Sequence, residues 1–289
     1  MMNVMITGCN GQLGQELLRL APCEITITAV DIDTLDITDQ IAVDNFVSEL
    51  KPQLIINAAA YTAVDQAETE HEIAYAVNCD AVKFLAEAAK QNSASVIHIS
   101  TDYVFAGQAC LPYQTTAQTA PSGVYGKSKL AGEQELQRIL PDNSVIIRTA
   151  WLYSPYGQNF LKTMLRLMAE RSELGVIADQ IGSPTAAATL AATVWSFAKN
   201  SQLHGLFHWT DAGVASWYDF AEAIREAAIA VGLLNHDAAQ VKPITTADYP
   251  TPAPRPAYSL LDKSSTYNAL ALTPIHWRNA LRDVIKRMV

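Results

Sequence analysis

Cysteine is scarce in this chain. Its 289 residues hold four, Cys9, Cys23, Cys79 and Cys110, widely spaced and without a C-x-x-C pair, so neither a zinc site nor a disulfide framework is indicated, and no metal is expected. Basic charge is also short: 20 Lys and Arg stand against 29 Asp and Glu, a formal net charge of -9. That excess repels polyanions at long range and argues against a nucleic-acid partner. Long apolar runs are missing. The longest, Ala186 to Ala198, is interrupted by Thr189 and Thr193 and falls short of the ~20 residues that a helix needs to cross a bilayer. Met1 to Thr7 carries no basic n-region and no small-residue cleavage site. It reads as a strand rather than a signal peptide, and the chain is expected in the cytoplasm with no membrane partner. Internal repeats and low-complexity tracts are absent as well.

What remains is an ordinary globular composition, 49% hydrophobic and 17% charged, on a chain long enough to bury a sizeable core. The first half alternates short β-rich runs with helical stretches. Strands are predicted at Asn3 to Thr7, Ile25 to Val30, Leu54 to Asn57, Ser95 to Ile99 and Ser144 to Ile147, and their near-continuous apolar character fits burial on both faces. Between them Gln12 to Leu20, Asp39 to Leu50, Glu70 to Gln91 and Ser122 to Leu140 carry apolar residues three and four apart. This pattern predicts an α/β fold, a doubly wound parallel (Rossmann) sheet with a smaller C-terminal α/β region. Residues 1–150 are expected to form the dinucleotide-binding domain. Residues 151–289, punctuated by prolines, are expected to form mainly a substrate-binding region, with about 182–204 returning to the first domain.

Gly8-Cys9-Asn10-Gly11-Gln12-Leu13-Gly14 follows the first strand and opens a helix, the one context in which G-x-x-G-x-x-G points to a pyrophosphate. Glycines let the backbone N–H groups come close, and the helix N-terminus adds partial positive charge. Asp31 ends the second strand, seventeen residues beyond Gly14, where a carboxylate can reach ribose hydroxyls. That position favours NADH, although a carboxylate turned aside leaves room for NADPH. Asp36 and Ile37 are candidates to flank the adenine, with Thr38 or Asp39 as a helix cap. Ala58, Ala59 and Ala60 follow the third strand as small residues past which a flat cofactor can run.

Tyr125 and Lys129 stand in Y-x-x-x-K spacing, on one helix face and one turn apart. Lowering a phenol from its ordinary pKa of about 10 to near 7 takes about 4 kcal/mol, which an adjacent cation and a charged nicotinamide ring can supply. Thr101, after the fourth strand, offers a hydroxyl at the carboxyl edge where such sheets bind ligands, in position to hold a carbonyl.

Taken together, Gly8 to Gly14, Asn57 to Asp65, Ser100 to Phe105, Tyr125 to Lys129, Arg148 to Trp151, Asp179 to Thr185 and Tyr249 to Pro256 make the chain resemble the extended short-chain dehydrogenases/reductases over its whole length. The resemblance implies hydride transfer from NADPH or NADH to the C4 keto group of a dTDP-sugar. In it Tyr125 is the proton donor, Lys129 binds the nicotinamide ribose and lowers the phenol's pKa, and Thr101 orients the carbonyl. It also implies cofactor contacts from Asn10 to Leu13, Asp31, Asp36, Ile37, Ala58 to Ala60, Tyr125 and Lys129, and sugar-nucleotide contacts from Asp102 and Trp151. Tyr103 and Arg255 are further substrate-pocket candidates. Ala187-Ala188-Thr189 supplies no carboxylate for the metal-bridged interface found in some relatives, so a monomer or weak homodimer is expected. Two alternatives stand beside this reading: a related epimerase or dehydratase, and a non-catalytic regulatory subunit. Dehydratases of this fold place Asp-Glu after the catalytic Thr, whereas Thr101 is followed by Asp102-Tyr103.

Overall fold

Runs of Val, Ile and Leu too apolar to face water on either side form the centre of the molecule. In the computed structural model, which describes residues 2–289, these are β1 (Met2–Thr7), β2 (Ile25–Val30), β3 (Leu54–Asn57), β4 (Ser95–Thr101) and β5 (Ser144–Thr149), joined by α1 (Gln12–Arg19), α2 (Gln40–Leu50), α3 (Ala81–Gln91) and α4 (Val124–Ile139). The chain continues through α5 (Phe160–Glu170), β6 (Glu173–Ile177), α6 (Ala187–Ala198), β7 (Gly205–His208), α7 (Trp217–Ala230), β8 (Gln240–Ile244) and α8 (Trp277–Lys286). The main sheet has six strands in the order β7-β5-β4-β3-β1-β2, and every neighbouring pair is parallel. The expected doubly wound α/β sheet is the fold.

Two apolar layers cover it. Val43, Val47, Leu85 and Leu136 pack on one face. Leu13, Leu17, Leu190, Val194 and Trp195 pack on the other, where the indole of Trp195 donates to Leu17 O at 3.0 Å and ties α6 to α1. A third core, built around Leu161, Met164, Phe220, Ile224 and Trp277, belongs to the C-terminal region.

Two strands and one helix differ most from their predicted extents. β4 and β5 each run two residues further, because Ser100 and Thr101 still pair with Arg148 and Thr149. The predicted helix over 70–91 is broken by a π-helical turn at Ala76–Asp80. There the Asn78 side chain accepts from Tyr61 N and donates to Tyr61 O, both at 3.0 Å. A side chain that serves another segment leaves its own turn wide, as π-turns beside functional sites often are. Asp39, not Thr38, caps α2, its carboxylate accepting from Ala42 N at 3.1 Å.

Candidate active site

Strand order reverses between β1 and β3, so the crevice of this sheet opens at their carboxyl ends. Gly8 turns there with φ of +68°, and a Cβ on it would lie 2.7 Å from Ala59 Cα and N. The turn thus rests directly on the end of β3. A Cβ on Gly14 would come within 2.3 Å of Gly8 O, which makes Gly14 the residue that lets α1 seat under the turn. Gly14 is buried and touches the loop itself, while the Leu13 side chain is only 5% exposed and belongs to the core. What the first turn of α1 offers a phosphate is its orphan backbone N–H groups. Gln12 likewise directs its side chain elsewhere, Oε1 accepting from Ser154 Oγ at 3.1 Å and Asn159 Nδ2 at 2.9 Å. Asn10 is exposed, and its N–H donates to Asp31 Oδ2 at 2.8 Å.

A cleft of about 600 Å³ runs from this turn, lined by Gly8, Gly11, Asp31, Asp36, Ile37, Ala58, Ala59 and Ala60. These eight are the expected set that the structure brings together. Ile32, Thr38, Tyr61, Ile73 and Val77 line it too and were not foreseen. Ile32 and Ile73 are 71% and 52% exposed, and large aliphatic side chains left in solvent beside a cleft were the signal that could have found them. Asp31 Oδ1 accepts from Ile32 N at 2.9 Å, so both carboxylate oxygens are anchored at the rim, and among the described residues no Lys or Arg lines the cleft. Asp36 accepts from Thr38 N and Oγ1 at 2.9 and 2.7 Å, which holds its carboxyl below the usual range. Walls of small and aliphatic residues, a glycine turn that a Cβ would fill, and a carboxylate at the far end fit a dinucleotide.

The second cluster sits where β4 ends. Thr101 Oγ1 donates to Asp102 Oδ1 at 3.0 Å and accepts from Tyr103 N at 3.2 Å. Opposite it, Glu68 Oε1 accepts the Val124 N–H at 2.8 Å, so a carboxylate from a distant segment caps α4 and fixes Tyr125 in its first turn. The Tyr125 ring meets Tyr103 edge to face, with centroids 5.4 Å apart. Burial pushes the Tyr125 phenol up to about 12, against the pull of the neighbouring Thr101 hydroxyl. Burial also raises the Tyr103 phenol and brings the Asp102 carboxyl up to about 6. Asp102 Oδ2 is buried, with the Ser259 hydroxyl as its neighbour.

Lys129 lies one turn on from Tyr125 along α4. Its side chain is buried, and Nζ donates to Ile99 O at 2.7 Å and meets His98 Nε2 at 3.3 Å, both on β4. Lys129 Nζ is thus turned to β4, and burial is the largest influence on the Tyr125 phenol, raising it. A buried amine takes the partners nearest to it, and β4 supplies a carbonyl and an imidazole.

Trp151 adopts φ of 49° and stacks on Trp217 at 3.6 Å between centroids and 8° between planes. Gly182 lies so close that a Cβ there would come within 2.6 Å of the indole, so Trp151 is clamped from two sides. Trp217 was not foreseen. Arg255 donates to Asp65 Oδ2 at 2.8 Å, and Ala253 N donates to Asp65 Oδ1 at 3.1 Å. These bonds hold the proline-rich segment as a strap beside Tyr103, whose phenol feels the Arg255 charge.

The family model described as RmlD substrate binding domain matches residues 2–289. The chain belongs to this family. Among its RmlD relatives, the dTDP-4-dehydrorhamnose reductase of Aggregatibacter actinomycetemcomitans is 44% identical over 98% of each chain. That of Salmonella typhimurium is 40% identical over 99% of this chain and 98% of its own. The crystal structure of dTDP-4-dehydrorhamnose reductase from Bacillus anthracis in complex with NADP superposes with a TM-score of 0.93, at 38% identity and 99% coverage of both chains. A UDP-glucose 4-epimerase from Thermus thermophilus, 18% identical with a TM-score of 0.83, shares the fold alone. The RmlD chain described here is thus an oxidoreductase of the NAD(P)H-dependent kind.

Proposed function

We propose that this chain reduces the C4 keto group of dTDP-4-dehydro-L-rhamnose to dTDP-L-rhamnose, using NADPH or NADH. The observation that carries the reading is the meeting of Tyr125, Thr101, Asp102 and Tyr103 at the carboxyl edge of β4, next to a cleft fitted to a dinucleotide. The relatives' names supply the sugar. A nicotinamide held in this cleft would supply the hydride. Tyr125, whose phenol is kept protonated at neutral pH, gives its proton to the oxygen that becomes the new hydroxyl. Thr101 orients the carbonyl, and Lys129 engages the ribose side of the site. Asp102, Tyr103, Trp151 and Arg255 receive the sugar nucleotide, Trp151 as a rigid wall. Gly8, Gly11, Asp31, Asp36, Ile37 and Ala58 to Ala60 hold the dinucleotide, with the backbone of Gln12 and Leu13.

On this reading residues up to about 150, with the returning stretch at about 182–204, serve the cofactor. The rest of 151–289 serves the sugar. The chain works in the cytoplasm as a monomer or weak homodimer.

Tyr125→Phe removes the proton donor while keeping the ring against Tyr103. Its kcat, followed by loss of nicotinamide absorbance, is expected to fall about 10²- to 10⁴-fold with KM little changed. Near-normal turnover would remove Tyr125 from the mechanism. Absence of oxidation of either cofactor with this keto sugar would pass the reading to a related nucleotide-sugar enzyme or a non-catalytic subunit.

A further inference from the structure

A line of buried polar side chains crosses the sheet beneath the site and ends on Lys129. Asn57 Oδ1 accepts from Thr7 Oγ1 at 2.8 Å and from Ala59 N at 3.2 Å. A backbone N–H can only donate, so the carboxamide oxygen faces Ala59 and the Asn57 Nδ2 group is the one that meets His98 Nδ1, at 3.1 Å. His98 Nδ1 must therefore accept. His98 is fully buried, and burial holds its pKa well below the ordinary value, so the ring is neutral and carries one proton. With Nδ1 accepting, that proton is on Nε2 and points at Lys129 Nζ, 3.3 Å away. An ammonium has three donors and no acceptor. Only an uncharged amine can receive the Nε2–H while donating to Ile99 O.

We propose that His98 is a positioning residue whose Nε2–H makes the berth on β4 selective for uncharged Lys129, so that taking up a proton expels the side chain toward the Tyr125 phenol. The inference rests on the roles given above to Tyr125 and Lys129. The titratable and charged groups around the berth are His98 on β4, Tyr125 one turn back and Glu133 one turn on along α4, and Arg148 on β5, which is paired with Glu133. Burial brings Lys129 down to about 8 against the opposing charge of Glu133, so withdrawal and engagement exchange just above neutrality. The proton comes from solvent and adds to the amine lone pair that His98 had occupied. Binding of an anionic dinucleotide favours the charged, engaged form and draws in that proton.

Full-length chain labelled with 15N and 13C at Lys and His tests this by NMR without any dinucleotide, with Lys129→Met assigning the lysine signal. The expected result is His98 protonated on Nε2 throughout, and a Lys129 Nζ that titrates near 8 with a matching change at His98 Nε2. A His98 proton on Nδ1, or a Lys129 that titrates at the ordinary ~10.4, overturns the proposal.

Calorimetry of NADH binding at about pH 9, in buffers of different ionisation enthalpy, is expected to register uptake of about one proton per chain, and no uptake overturns it. His98→Gln places a carboxamide oxygen where an ammonium can donate, so its Lys129 midpoint should return toward the ordinary value and the uptake should vanish. The free-chain measurements involve no turnover. A failed Tyr125→Phe test therefore leaves them standing, and their failure leaves the proposed reaction untouched.

Discussion

The ion pair between Arg148 and Glu133 lies one turn from Lys129 and is almost fully out of water, the side chains being 4% and 2% exposed. Arg148 Nε and Nη2 donate to the two Glu133 oxygens at 2.8 and 2.6 Å, and Ser100 donates to Oε1 as well. The remaining nitrogen, Nη1, has no hydrogen-bond partner among the described residues, and the guanidinium lies over Phe105 at 5.0 Å. Glu133→Gln keeps the shape and one acceptor but leaves a buried cation uncompensated. Removing one member of such a pair costs about 3–5 kcal/mol, a large share of the ~5–15 kcal/mol that holds a domain folded. Urea unfolding followed by tryptophan fluorescence and far-UV circular dichroism should show that loss with coincident transitions. Glu133→Leu combined with Arg148→Met, which removes both charges, should recover most of it. A Glu133→Gln variant that loses less than about 1 kcal/mol, the scale of an exposed pair, would refute the claim that this pair is desolvated.

Gly14→Ala drives a methyl into Gly8 O and must displace the turn. NADH affinity measured by fluorescence is expected to fall about tenfold or more, and the thermal midpoint should fall too, because the methyl meets only backbone atoms and overpacking costs about 1–3 kcal/mol. Trp217→Ala removes the plane on which Trp151 stacks, and loss of about 0.5–1.5 kcal/mol of stacking should raise KM for the sugar nucleotide up to about tenfold with KM for NADH unchanged. His208 is buried and brought down to about 4 by burial and by Arg148. The unfolded state takes up its proton first, so stability is fully present above ~6.5 and is lost as pH falls toward 4, by about 3 kcal/mol. Urea midpoints taken across that range should be flatter in His208→Gln.

Strands β1 to β5 were legible because burial on both faces leaves an unmistakable run of aliphatic residues. β7 was not: Gly205-Leu206-Phe207-His208 is short, begins with glycine, and acquires its strand character only by pairing with β5. The glycine turn and Tyr125 could be read from spacing, since helix periodicity alone places them. The partners of Lys129 could not, because His98 and Ile99 approach it through sheet packing between elements about 30 residues apart in the chain. Trp217 escaped for the same reason. Nothing near it in sequence marks it, and only the fold sets its ring against Trp151. Asp31 sat where the spacing put it, yet the two N–H groups that anchor it belong to the turn geometry, which no pattern of residue types encodes.

The route of the chain sets limits on cutting it. α6 and β7 are contributed from beyond residue 180, yet they complete the layer over Val145 and Ile147 and close the side of β5. A fragment ending near residue 150 would carry the whole glycine turn and still expose a bare strand edge and an uncovered aliphatic face, the combination that drives chains to associate edge to edge. Attempts to graft the β1 to β5 half onto another protein must bring residues from both halves of the chain.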